Sequence, residues 1–153
     1  MFQPVRNLFK PKRVEKAQPL NSEVQLAIAR LMMEVVKVDG RVDRIELITM
    51  TEILRHQFEL NQQEINDIFA IISGSRADQN ALRKLTRTIC QTWGNAKRMK
   101  LLENLWVVAL ADHNIDQDEN SLVRELAGLL CLNEMQIFQT QENAKIQMGI
   151  EDF

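Results

Sequence analysis

The nine residues "VDGRVDRIE" at 38–46 are echoed by "ADHNIDQDE" at 111–119. Asp39/Asp112, Val42/Ile115, Asp43/Asp116 and Glu46/Glu119 are each separated by 73 positions, and each stretch follows a long apolar run. Glu52/Glu125 keeps that offset, and after a one-residue gap Leu60/Leu132, Asn61/Asn133 and Ile65/Ile137 follow at 72. The repeated pattern reads as helix, acidic loop, helix, short turn, helix. One copy cannot bury its own apolar face, whereas two copies packed about a pseudo-twofold can.

The helices announce themselves locally. Ser22-Glu-Val-Gln25 has the form of a capping box, and Leu26, Ala29, Met32, Met33, Val35 and Val36 then form a broad apolar stripe ending near Val38. Gly40 can take a positive φ at little cost and ends that helix. Asp43-Arg-Ile-Glu46 opens a second helix, reaching about Phe58, and Asn61-Gln-Gln-Glu64 a third, closed by Ser73-Gly74. A fourth starts near Asp78 and stops at Gly94. The fifth, about 95–111, contains "LLENLWVVALA", apolar almost all round and therefore central. Asp116 and Asn133 open the sixth and seventh. No proline interrupts residues 20–153 and no stretch alternates with period two for long. The expected class is all-α, about seven helices, with a basic tail at 1–20, a helical domain at 21–148 and a short tail at 149–153.

Composition bounds the function. With 153 residues, 45% hydrophobic and 26% charged, the chain has the make-up of one ordinary globular domain. No apolar run approaches the roughly 18 residues of a transmembrane helix. The start, "MFQPVRNLFKPKR", lacks the apolar stretch of a secretory signal, so a cytoplasmic location is expected. Cys90 and Cys131 have no CxxC or His spacing around them and read as small buried hydrophobes in a reducing compartment. Trp93 and Trp106 fall on apolar faces and read as core.

The net charge of −2 hides a segregation of signs. Arg6, Lys10, Lys12, Arg13 and Lys16 against Glu15 give residues 1–20 a local charge of +4. Beside those cations stand Phe2, Val5, Leu8 and Phe9, so Lys10, Lys12 and Arg13 are candidates for weak, reversible contact with an anionic membrane surface. A second basic stretch, 76–100, places Arg83, Lys84 and Arg87 on one side of a helix, as a contact with a partner, a nucleic acid or an anionic membrane surface, or as a solvated face. No specific nucleic-acid recognition is expected.

Asp43 and Asp116 fall where helix N-caps belong, and Glu46 and Glu119 at the third position of the same helices, so capping and the helix dipole account for them without a ligand; Asp43 and Asp116 are read as caps or as supports beside the ligands. Asp39 and Asp112 lie at helix C-terminal ends, where the dipole disfavours a carboxylate. They need a backbone N–H, a basic side chain or a cation. If the loops pack together, Asp39, Glu46, Asp112 and Glu119 would offer hard oxygen donors suited to Ca²⁺ or another divalent cation rather than zinc. A backbone or salt-bridge lock is the equal alternative.

The strings "EVVKVDGRVDRIE", "LLENLWVVALADHNIDQDE" and "ELAGLL" resemble the tellurite-resistance protein B (TerB) family over about residues 22–137. They are closest to stand-alone bacterial members with two acidic loops. The N-terminal helical domain of the membrane-linked DjlA co-chaperone is also similar. The resemblance implies a seven-helix fold and a metal-binding or interaction surface, with the family's acidic positions at Asp39, Glu46, Asp112 and Glu119. It departs from the pattern where His113 replaces the glycine expected after the second aspartate, and Asn114 would then take the left-handed position.

The loops are too short for EF-hands, no paired Glu-x-x-His motif marks a di-iron bundle, and no phosphate loop or nucleophile–base pair is present. Only His56 and His113 could carry acid–base chemistry near neutrality. The sequence thus leads to a non-enzymatic, TerB-like, cation-binding protein with a stress-response or metal-handling role. The alternative is a metal-independent protein–protein interaction module, peripheral to the inner membrane, with an unknown partner.

Overall fold

In a computed structural model the described residues are 19–38, 40, 42–72, 77–114 and 116–150, with side chains from Glu23 onward. Residues 1–18, with Lys10, Lys12 and Arg13, lie outside that set, as do Asp39, Arg41, residues 73–76, Ile115 and residues 151–153. The described chain is all-α: α1 (Pro19–Val36), α2 (Arg44–Gln57), α3 (Gln62–Ile72), α4 (Gln79–Thr92), α5 (Asn95–Ala109), α6 (Gln117–Leu129) and α7 (Glu134–Met148).

Most helix starts follow from their caps. Asp43 accepts from Glu46 N–H at 3.0 Å and Asp78 from Ala81 N–H at 2.9 Å. Asn61 and Glu64 exchange two 2.8 Å bonds. Asn133 and Gln136 do the same at 2.8 and 2.9 Å. Each box satisfies first-turn N–H groups that have no intrahelical acceptor. Ser22 is a correction. The first helix begins three residues earlier, at Pro19, because a first-turn proline loses no hydrogen bond that the helix would otherwise make.

Two helices form the centre. Helix α1 packs against α2, α3, α4, α5 and α6, and α5 against α1, α2, α6 and α7. Ile28, Leu31, Met32 and Val35 of α1 meet Leu101, Leu102, Leu105, Trp106 and Val108 of α5 in one core, all 1% exposed or less. Each such side chain contributes about 1.5–3 kcal/mol by leaving water. Buried Asn104 and exposed Gln57 join α5 to α2 by reciprocal amide bonds of 3.2 and 3.0 Å. Glu34, also buried, accepts from Ala77 N–H at 2.9 Å and lies 3.7 Å from Arg30. Glu34 lies two residues before the end of α1, from which the first acidic loop departs.

Three core expectations are corrected. Trp106 is buried, but Trp93 is only half-buried, stacked 6.2 Å from Phe58 with Lys97 over its ring. Cys90 is likewise half-buried and Cys131 is exposed. Both cysteines lie near helix C-termini, where the chain turns outward and local apolar spacing no longer reports depth.

Candidate metal centre

The two acidic loops leave α1 and α5 by the same turn. Gly40 N–H bonds to Lys37 O at 3.0 Å, and His113 N–H to Leu110 O at 2.8 Å. Gly40 has φ +85° and His113 φ +66°. His113 therefore takes the left-handed position itself, and the expected shift to Asn114 does not occur. What makes this tolerable is Asp112, whose Oδ1 accepts from Asn114 N–H at 3.0 Å and closes the turn. The chain then extends into Asp43 (φ −79°, ψ 125°) and Asp116 (φ −79°, ψ 130°), the residues preceding α2 and α6.

The loops converge. Carboxylate oxygens of Asp43, Glu46 and Asp112 lie within 4.8 Å of one another, and the Glu46 side chain hydrogen-bonds to Glu119. Glu46 and Glu119 are 2% and 4% exposed, so these acids face the interior of the loop pair. Glu46 Oε1 and Asp116 Oδ2 are buried with no hydrogen-bond partner. Burial, then the Glu119 hydrogen bond and charge, then Asp43 and Asp112, push the Glu46 carboxyl up to about 10. A group held that far above the ordinary carboxylate range keeps its proton at neutral pH unless a cation replaces it.

Of the four predicted ligands, Glu46, Asp112 and Glu119 come together, while Asp39 lies outside the described residues. Asp43 joins them. The sequence reads it as a cap or a support of the ligands; it caps with one oxygen, and the carboxylate also belongs to the cluster. Asp116 differs. It stands at the N-cap position yet makes no cap hydrogen bond, so capping does not explain it.

Residues 25–142 match the family described as tellurite resistance protein TerB. The chain belongs to the TerB family. A crystal structure of a protein of unknown function from Porphyromonas gingivalis has the same fold, with a TM-score of 0.61 at 18% identity, covering 82% of this chain and 95% of that one. No curated protein matches the chain.

For a TerB-family cation site the donor set is chemically suitable. Carboxylate oxygens are hard donors, matched to Ca²⁺ or Mg²⁺. The softer ligands are elsewhere: His113 is exposed, and both thiols line a different cavity. The orphaned Glu46 Oε1 is the particular sign of fit, since a buried polar oxygen without a donor is costly, and a cation that displaces the Glu46 proton would meet it. Arg83, Lys84 and Arg87 of α4 are exposed, as their helical spacing predicts. Among the described residues no helix is long and apolar enough to cross a membrane.

Proposed function

We propose that this TerB-family protein is non-enzymatic and binds a divalent cation, with Ca²⁺ the leading candidate, between its two acidic loops. Asp43, Glu46, Asp112 and Glu119 would hold the ion, and Asp39, the fourth ligand implied by resemblance, belongs to the same loop as Asp43. The ion would supply positive charge that joins the α1–α2 and α5–α6 connections. A stress-response or metal-handling role follows from the family resemblance. The observation that carries the reading is the buried, partnerless Glu46 Oε1 beside the Asp43 and Asp112 carboxylates.

Calorimetric titration with Ca²⁺ and Mg²⁺ tests it. A specific ion should bind one per chain and raise the melting temperature, by about 2.7 kcal/mol in free energy at a hundredfold excess over Kd. Glu46→Gln with Asp112→Asn should abolish both effects. No heat and no thermal shift at millimolar metal would end the reading.

A second reading rests on Val42, Ile45 and Ile48, which are 53%, 51% and 55% exposed along the start of α2 beside the acidic loops. Such a strip suits a metal-independent protein contact, in a cytoplasmic protein or one peripheral to the inner membrane. Ile45→Ser with Ile48→Ser should then abolish partner capture while leaving cation binding unchanged. Equal capture by the variant would remove it.

A further inference from the structure

The two cysteines, 41 positions apart in sequence, belong to one surface cavity. Arg83, Thr86, Arg87 and Cys90 of α4 line it with Leu129 and Cys131 from the end of α6, around a volume of about 280 Å³. Cys90 Sγ points across to Leu129 O at 3.8 Å, two residues before Cys131, and Cys131 is among the groups that act on the Cys90 thiol.

The backbone at Cys131 is also unusual. Its φ is +63°, the left-handed conformation at a helix C-terminus that glycine ordinarily fills. Cys131 N–H bonds to Gly128 O at 3.0 Å and Leu132 N–H to Ala127 O at 3.0 Å, so the turn is held in place. Arg98 adds a 2.6 Å bond to Leu130 O. A side chain at this position costs of order 1–2 kcal/mol, and strained positions of this kind concentrate at functional sites. Cys131 is exposed there and lines the cavity together with α4.

We propose that Cys90 and Cys131 form a dithiol site that is oxidised to an intramolecular disulfide by low-molecular-weight disulfides. Exposed Cys131 reacts first. Its thiolate attacks one sulfur of RSSR, a protein–SR bond forms, and one RS⁻ leaves and takes a proton from water. Cys90 then loses its proton to solvent and attacks the Cys131 sulfur, and the second RS⁻ departs. Two protein thiols are oxidised and one RSSR is reduced to two RSH. Burial, more than the neighbouring Cys131, raises the Cys90 pKa, while Arg98 acts the other way. Cys90 is therefore suited to the second, intramolecular step, where proximity compensates for a small thiolate fraction. The bond would fasten α4 to the α6–α7 turn and lie apart from the acidic loops.

The test uses the full chain and oxidised glutathione at mildly alkaline pH, with mass spectrometry of non-reduced digests. The expected product is a Cys90–Cys131 cross-linked peptide, formed at least about tenfold faster in the folded chain than in guanidinium, because folding removes the cost of closing a long loop. Cys90→Ser should stop at the mixed disulfide on Cys131, and Cys131→Ser should give no cross-link. Mixed disulfides that persist on the wild-type chain, cross-links between chains, thiols that stay free, or equal rates in guanidinium would each overturn the assignment.

Discussion

Glu46 and Glu119, the third residues of α2 and α6, meet side chain to side chain although 73 positions separate them in sequence. Two carboxyl groups in a hydrogen bond must share at least one proton, or else yield it to a cation. That alternative makes the site testable without knowledge of its ion.

The first consequence is a dependence of stability on pH. In the cation-free chain the Glu46 carboxyl titrates at about 10, against 4.5 for the unperturbed group. Between these values the folded chain binds a proton that the unfolded chain has released, so stability falls as pH rises and levels off above the upper value. The melting temperature should drop between about pH 5 and about pH 9 more steeply for wild type than for Glu46→Gln. Parallel slopes would show that Glu46 is ionised in the fold.

Cation affinity should run the opposite way. An ion that displaces the Glu46 proton binds more tightly as pH rises, by up to about tenfold per unit while one proton is released. Titrations in buffers of different ionisation enthalpy should count close to one proton per ion bound. A count near zero would place the ion away from Glu46.

Asp43 and Asp116, equivalent in sequence, should respond differently to removal. Asp43→Ala loses a 3.0 Å cap bond and should cost about 1 kcal/mol in chemical denaturation. Asp116→Ala loses no cap, and removes a buried oxygen that has no partner. In chelator it should be neutral or stabilising by up to about 1 kcal/mol. Equal losses at both positions would show that Asp116 does cap α6 in solution.

The left-handed pair gives a further contrast. Gly40→Ala forces a Cβ into φ +85° and should lower stability by about 1–2 kcal/mol, although nothing lies within 4 Å of that Cβ. His113→Gly relieves φ +66° and should raise stability by up to about 1 kcal/mol, offset in part by the added freedom of the unfolded chain. Denaturant midpoints at unchanged m-value would measure both.

Much of the architecture is written locally. Asn61/Glu64 and Asn133/Gln136 act within one turn of their own helix, and the largely apolar second half of α5 demands a central place whatever surrounds it. Such features are legible because their causes span only a few residues. The N-terminus of α1 is less legible for a related reason. Ser22 has the right neighbours for a cap, but a proline three positions earlier also starts a helix, and local chemistry does not rank the two.

By itself, then, the sequence determined an all-α chain, the caps of α2, α3, α4 and α7, and two acidic loops of matching pattern. Only the tertiary structure decided that Asp43 belongs with Glu46 and Asp112, that Asp116 does not cap, that His113 takes the left-handed turn, and that Cys90 and Cys131 share a cavity. The reason is physical. Capping and periodicity are short-range along the chain, whereas burial, proton affinity and thiol proximity depend on distances through space, which exist only after α1 and α5 have packed and carried their loops together.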